Sequence, residues 1–342
     1  MCRSENDSGG PVRCPGDTRA TLNAADRAVG QAEHEVNRLT ADVADAERTY
    51  IDDNAFRAAL NTRIRQQSAA TGLPHHELAR RFAVQQFLTR LSVTDPGQWV
   101  VTGGTALQYR SSEARPTRDA DLAAREDADD MIGRLESATA RRPGERGDFC
   151  ITVKHAGAHG SYRCNITYML DGKRFAVAGL DVTTHRQLPG NPDRITPPPV
   201  VSIADSAPPT ALSVYPVANH LADKIGAMYQ LYGPNQDTPS TRPHDLSDIV
   251  LISRSCTVDA NELHTAILAE SERRNVTIPR PLTLPTSSWR QTFSRKTDAA
   301  LLPADAADAD AALGVANRFL GPVLDRSAAG KRWDPDAQRW TN

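Results

Sequence analysis

The sequence predicts an α/β fold: a small mixed sheet with helices before and after it. Three observations carry this. The stretch from Trp99 to Leu122 contains a short apolar run, a Thr-Gly-Gly-Thr break, a helical patch and a second short run. Residues 149–153, 162–169 and 174–182 read as three further strands, the last two joined by Asp171-Gly172, a good two-residue hairpin turn. Apolar residues at helical spacing flank the sheet, with Phe56, Leu60 and Ile64 ahead of it and Leu221, Ile225 and Met228 after it.

Taken in order, residues 1–19 are Gly, Pro, Ser and charge and read as disordered. An Ala-rich, charged stretch follows to about residue 52 and has helical composition. Residues 54–71 form an amphipathic helix that Gly72-Leu73-Pro74 breaks. Pro74 is placed to open the next helix, which runs to about Leu91. Within it, the adjacent His75 and His76 face apart and read as solvated helix start rather than metal ligands. After the Trp99–Leu122 stretch, 127–140 reads as a helix and 141–147 as a charged loop. The Pro-rich segment 185–210 marks the boundary to a helical C-terminal part. There, 259–275 is one helix, and 305–320 is another that Gly321-Pro322 should end. Trp333 and Trp340 read as packing anchors. The expected organisation is an N-terminal extension (1–53), a core with its leading helices (54–210) and a C-terminal helical part (211–342).

Composition narrows the class. At 342 residues the chain can bury a sizeable core. Its net charge of -2 leaves no global basic footprint for nucleic acid, so such a substrate must meet a local patch. The candidates for that patch are Arg110, Arg115, Arg118, Arg141 and Arg142. Only five of the 40 basic residues are lysines, a coding bias that makes a lysine inside a motif more noticeable. The five cysteines are scattered without C-x-x-C spacing, which argues against a disulfide framework and a zinc site. No apolar run reaches about 18 residues and the first residues lack a signal-peptide core, so a soluble cytoplasmic protein with no membrane partner is expected.

The chemistry concentrates in the opening stretch. Strand residues alternate faces, so Asp119 and Asp121 point the same way across Ala120. Two carboxylates on one face repel unless a cation lies between them. Hard oxygen donors in that arrangement suit Mg2+, which completes its shell with water and substrate phosphates. Gly103, Gly104 and Thr105 offer backbone N–H groups at a helix start, where an anion is favoured. A phosphate cradle beside a metal clamp suggests nucleotide chemistry. Taken singly, Gly-Gly is an ordinary turn and D-x-D an ordinary solvated surface pair; the combination at this spacing is more specific.

These residues resemble a known family. Gly-Gly followed at about a dozen residues by D-x-D on a strand is the signature of the DNA polymerase β-like nucleotidyltransferase superfamily. The text WVVTGGTAL…RPTRDADL looks like the first motif of AbiEii/AbiGii-type nucleotidyltransferase toxins, and the resemblance continues from about Phe56 to Arg274. In such folds a third carboxylate comes from a strand beside the D-x-D strand, and GLDVTT, with Asp181, resembles that element. It can deprotonate the attacking hydroxyl or help hold a second metal ion; the plain alternative is a strand-end aspartate satisfied by nearby N–H groups. A second block, 214–252, resembles the family's A-D/E-K-h-x-A and R-D-h-x-D motifs. Ala222, Asp223, Lys224, Ile225 and Ala227 match the first, and Asp245, Leu246 and Asp248 match the second. Lys224 beside an apolar helix face can extend towards triphosphate oxygens. Asp245 is the position the family treats as functional, and Asp248 a helix or core contact. Two departures stand out: His244 precedes Asp245 where Arg is common, and a polar, Pro-bearing insertion occupies 233–241.

The resemblance implies a Mg2+-dependent nucleotidyltransferase. Asp119, Asp121 and Asp181 hold metal, and Gly103, Gly104, Thr105 and Lys224 hold the NTP. Asp119, Asp121, Asp181, Lys224 and Asp245 form the catalytic set. It further implies the 3′ end of tRNA as acceptor, a cognate antitoxin and a toxin–antitoxin or abortive-infection role. Other readings stay open: the same core acting on a protein or small molecule, a phosphotransferase moving the γ-phosphate, and an NTP-binding module without catalysis.

Overall fold

The computed structural model describes residues 49–111, 113–125, 130–156, 161–184, 191–296 and 303–342. The disordered and helical readings of the extension before Thr49, the start of the 127–140 helix and the first residues of the Pro-rich segment lie outside these. Residues 51–201 and 205–342 form one compact unit.

Helix α1 (Asp53–Thr71) starts where the Asp52 carboxylate accepts a hydrogen bond from the Ala55 N–H at 2.7 Å. It ends at Gly72, whose φ of 73° is the left-handed cap that glycine tolerates. Phe56, Leu60 and Ile64 lie one turn apart and are fully buried, each contributing roughly 2 kcal/mol of apolar burial. Helix α2 (His75–Thr94) follows Pro74 directly, and its Phe82 and Phe87 rings meet Tyr168 and Phe149 of the sheet at 6.0 and 5.3 Å. The buried Arg90 guanidinium is satisfied by Glu145 at 2.7 Å and the Gly147 carbonyl at 2.9 Å, which pins the charged loop to the helix.

Strand β1 (Trp99–Thr102) leads straight into α3 (Gly103–Arg110), and β2 (Asp119–Ala124) returns beside β1. Helix α4 (Met131–Glu136) is capped by Asp130, which accepts from the Gly133 N–H. The meander β3 (Asp148–Ala156), β4 (Ser161–Leu170) and β5 (Lys173–Thr183) follows. Asp171 and Gly172 have φ of 53° and 64°, the paired positive values of a tight hairpin turn.

The sheet has seven strands in the order β3-β4-β5-β2-β1-β7-β6. Strands β6 (Asp193–Ile195) and β7 (Leu212–Val214) arise inside and just after the segment read as a Pro-rich loop. Val214 pairs parallel with Val101 and is fully buried, so three residues suffice to extend the sheet. The sheet is thus mixed, with β2 parallel to β5 and antiparallel to β1.

Helices α5 (Val217–Tyr229), α6 (His244–Ser255), α7 (Ala260–Arg274), α8 (Trp289–Lys296) and α9 (Ala309–Leu324) build a second apolar core. Short strands β8 (Val258–Asp259), β9 (Arg332–Asp334) and β10 (Arg339–Thr341) close it as a small sheet. Helix α9 begins later than its apolar pattern indicates and runs through Gly321 and Pro322. Proline forfeits one backbone bond there, but Val323 and Leu324 beyond it are buried, and their packing outweighs that loss. Trp333 and Trp340 are packing anchors: their indole N–H groups donate to the carbonyls of Ser253 and Phe319. No helix among the described residues is long and apolar enough to cross a membrane.

Candidate active site

Strand pairing assembles the carboxylates. In the parallel β2–β5 ladder, Asp119 lies opposite Gly179 and Asp121 opposite Asp181. With side chains alternating faces, Asp119, Asp121 and Asp181 share one face of the sheet. Two glycines make room for them. A Cβ on Gly103 would lie 1.9 Å from the Asp121 Oδ2, and one on Gly179 would lie 1.9 Å from the Asp119 Oδ1. Gly103 also has a φ of 56°, so its lack of a side chain is required twice. Gly103→Ala should therefore displace Asp121 and lower turnover by on the order of 100-fold with the fold intact; kcat beside circular dichroism checks this. Gly179, inside the quoted GLDVTT, is a site glycine that motif matching passes over.

The electrostatics of the face suit a cation. Burial and then repulsion from Asp181 push Asp121 up to about 6; the Gly104 N–H, donating to its Oδ2 at 3.3 Å, and the nearby Lys224 oppose this only in part. Arg163 on β4, opposite Asp181, donates to the Asp181 Oδ1 at 3.0 Å. Among the described residues no three His, Cys, Asp or Glu side chains form a ready-made metal shell. The donor set fits Mg2+ nonetheless: hard carboxylate oxygens on one face, repelling one another, with the rest of the shell left to water and phosphate.

The second motif block reaches this face from the C-terminal helices. Lys224 on α5 is only 7 % exposed, and its Nζ donates to Asp245 at 3.1 Å and to Asp248 at 2.5 Å. Burial opposes its charge, but Asp248 and then Asp245 more than offset that, and hold the ammonium above its ordinary range. The two carboxylates are buried and would be raised by that alone; Lys224, with Arg242 at Asp245 and Arg115 at Asp248, holds both low instead. Burial pushes His244, 3.8 Å from Asp245, below its ordinary range, against the opposing pull of the Asp245 carboxylate. The arginine missing at position 244 is replaced from two residues upstream: the Arg242 Nε donates to the Asp245 Oδ2 at 2.7 Å. Asp248, expected as a helix or core contact, is a bridge between Lys224 and Arg115.

A cavity of about 670 Å³ joins the two motif blocks, within the roughly 300–1,000 Å³ usual for ligand sites. Gly103, Asp121, Asp181, Lys224 and Asp245 line it, together with Arg163, Arg242 and Arg274. Asp119 and Thr105 instead line a neighbouring cavity, and Gly104 meets the site through its N–H. The expected arginine patch does not assemble. Arg110 pairs with Asp193, Arg115 with Asp248, Arg141 with Asp53 and Arg142 with Glu145. Only Arg118 of the five stays exposed without an ion pair among the described residues.

The mixed sheet carries carboxylates on adjacent strands, with a helix start and a buried lysine lining the same cavity, and the family match makes the chain a nucleotidyltransferase. The chain belongs to the family described as nucleotidyl transferase AbiEii toxin of type IV toxin–antitoxin systems, whose model matches residues 86–323. No curated protein matches it. Among solved structures it is similar to MenT4, a nucleotidyltransferase toxin of Mycobacterium tuberculosis, at 17% identity and a TM-score of 0.42, covering 76% of this chain and 98% of that one. JHP933 from Helicobacter pylori is similar at 14% identity and a TM-score of 0.42, over 75% of this chain and 96% of that one.

Proposed function

We propose that this nucleotidyltransferase uses Mg2+ to transfer NMP from an NTP to the 3′ end of tRNA, as the cytoplasmic toxin of a pair with a cognate antitoxin. The observation that carries the reading is the β2–β5 register, which sets Asp121 against Asp181 beside a cavity floored by Gly103 and walled by Lys224 and Arg242. Asp119 and Asp121, with Asp181 adjacent, would hold Mg2+, which when bound offsets negative charge on the reacting phosphate. Gly103 and Gly104 present the start of α3 to the triphosphate. Lys224 and Arg242 add positive charge where the pyrophosphate leaves. The acceptor oxygen bonds to the α-phosphorus, the bond to the bridging oxygen breaks and pyrophosphate departs. The hydroxyl proton passes to Asp181.

Arg242 is half exposed and reaches the cavity while anchored on Asp245. Arg242→Ala should raise the KM for NTP about tenfold, by loss of a charge-assisted contact, and leave the fold intact.

The test supplies total tRNA with each NTP, labelled at the α- or at the γ-phosphate, beside an Asp119→Ala, Asp121→Ala control. Retention of α-label alone, lost in the control, is the expected result. Retained γ-label would mean a kinase-type reaction. Label on protein or small molecules would move the acceptor, and NTP binding without turnover would mean a binding module.

A further inference from the structure

The arginines expected to form a patch are spent in ion pairs, but folding assembles another basic cluster from residues far apart in the chain. A cavity of about 310 Å³ lies between the first turns of α1 and α2 and strand β5. Arg57, His75, His76 and Arg80 line it with Phe175 and Val177, and no carboxylate borders it. The Arg57 guanidinium donates to the carbonyls of Lys173 at 3.4 Å and Arg174 at 3.2 Å and lies over the Phe175 ring. Carbonyl contacts orient the group but leave its charge uncompensated. Arg174 itself is exposed and has no ion pair among the described residues. On the other side, Arg80 donates to the Thr117 carbonyl at 2.6 Å, which brings it beside Arg118.

The carboxylates nearby do not neutralise the cluster. Glu77 is shared by Arg80 and Arg81. Asp53, one turn before Arg57, is held by Arg141 and Arg146, and Asp171 by Lys173. Asp119, next to Arg118, belongs to the carboxylate face. The cluster is also tied to that face by β5. Val177, Gly179 and Asp181 alternate onto one side of the strand, and the four residues from Val177 to Asp181 span about 13 Å. A long polyanion with its end at Asp181 can therefore lie back along β5 to the cluster, whereas a free nucleotide held by Lys224 and Gly103 does not extend there. Guanidinium forks match phosphate oxygens, and contacts to phosphate hold a strand whatever its sequence.

We propose that Arg57, Arg80, Arg118 and Arg174 form a docking surface for the phosphate backbone of the acceptor RNA, a few nucleotides from its reacting end. The inference rests on the nucleotidyl-transfer reading with an RNA acceptor and extends it. It accounts for how a chain of net charge -2 engages a polyanion: the attraction is local, and it lies beside the carboxylate face rather than across the whole surface.

The test titrates the full-length protein with total tRNA between about 50 and 200 mM salt, and separately with a non-hydrolysable NTP analogue. Arg57→Gln and Arg174→Gln should each weaken tRNA binding about 3- to 10-fold and lower its salt slope by about one, with affinity for the analogue unchanged. Arg174 is exposed, so its variant tests the cluster without disturbing the β5 edge that Arg57 caps. Arg290→Gln, which removes an exposed arginine of α8 paired with Asp310, should move neither affinity. Slopes unmoved by both cluster variants, a loss no larger than that of Arg290→Gln, or no tRNA binding while the analogue binds would each overturn the proposal. If tRNA affinity stays put while binding of polyglutamate is lost in the variants, the surface belongs to an acidic protein partner instead. Failure of the wild type to bind the analogue would sink the nucleotidyl-transfer reading, and this inference with it.

Discussion

Asp121→Asn should abolish transfer while making the metal-free protein more stable at neutral pH. The loss of activity, on the order of a thousandfold, follows from removing one carboxylate of the pair proposed to hold Mg2+. The gain in stability follows from the position of Asp121, pushed up to about 6 by burial and by Asp181. In the unfolded chain that carboxyl ionises near pH 4, so above pH 6 the folded state carries a charge it disfavours. Asparagine removes that penalty, worth about 1–3 kcal/mol. The size of the gain depends on pH. The advantage of the variant is full above pH 6, shrinks as the native carboxyl protonates, and is gone below pH 4, where both states are protonated. Thermal melts of the two proteins at pH 7 and pH 4 read this directly. A variant less stable than the wild type at pH 7 would contradict the electrostatic picture of the site.

Asp248→Ala should be among the most destabilising single substitutions in the C-terminal helices, at about 3–5 kcal/mol. Asp248 is 2 % exposed and accepts from both Lys224 and Arg115. Its removal leaves Lys224 buried with Asp245 as its one remaining anion and frees Arg115 from its anchor. Chemical denaturation measures the cost. Lys224→Met, of similar volume, should cost less than Asp248→Ala if Arg115 and Arg242 continue to satisfy the two carboxylates. Its transfer rate should fall severely all the same, because the proposed contact from α5 to the triphosphate is then lost.

What sequence shows about this protein depends on whether a feature is local. The face shared by Asp119 and Asp121 follows from alternation alone, and the meander follows from Asp171-Gly172 between two apolar runs. That Asp181 comes to lie opposite Asp121 needs the ladder register, which the family resemblance suggested and pairing in space supplies. Strands β6 and β7 were illegible, since three residues beside proline-rich text carry no period; their partners in the sheet are what make them strands. Arg242 escaped notice because motif reading looks at the residue just before Asp245, whereas the guanidinium arrives from the preceding loop over a longer reach. The arginine patch misled for the opposite reason. Sequence counts charges, but folding pairs four of the five with carboxylates, three of them drawn from distant parts of the chain and one, Glu145 beside Arg142, a single turn away.

The ion pair between Arg115 and Asp248 spans 133 residues and ties the loop that feeds the D-x-D strand to helix α6. The two halves of the chain are therefore not interchangeable parts. A sheet half taken from one relative and a helical half from another would meet with mismatched charges at this contact, whatever the quality of each half alone. Two fragments cut in the Pro-rich segment should regain activity on mixing only where both come from the same chain. Drift at either end of the pair is constrained by the other, and a toxin built this way must diversify along its exposed rim rather than across its seam.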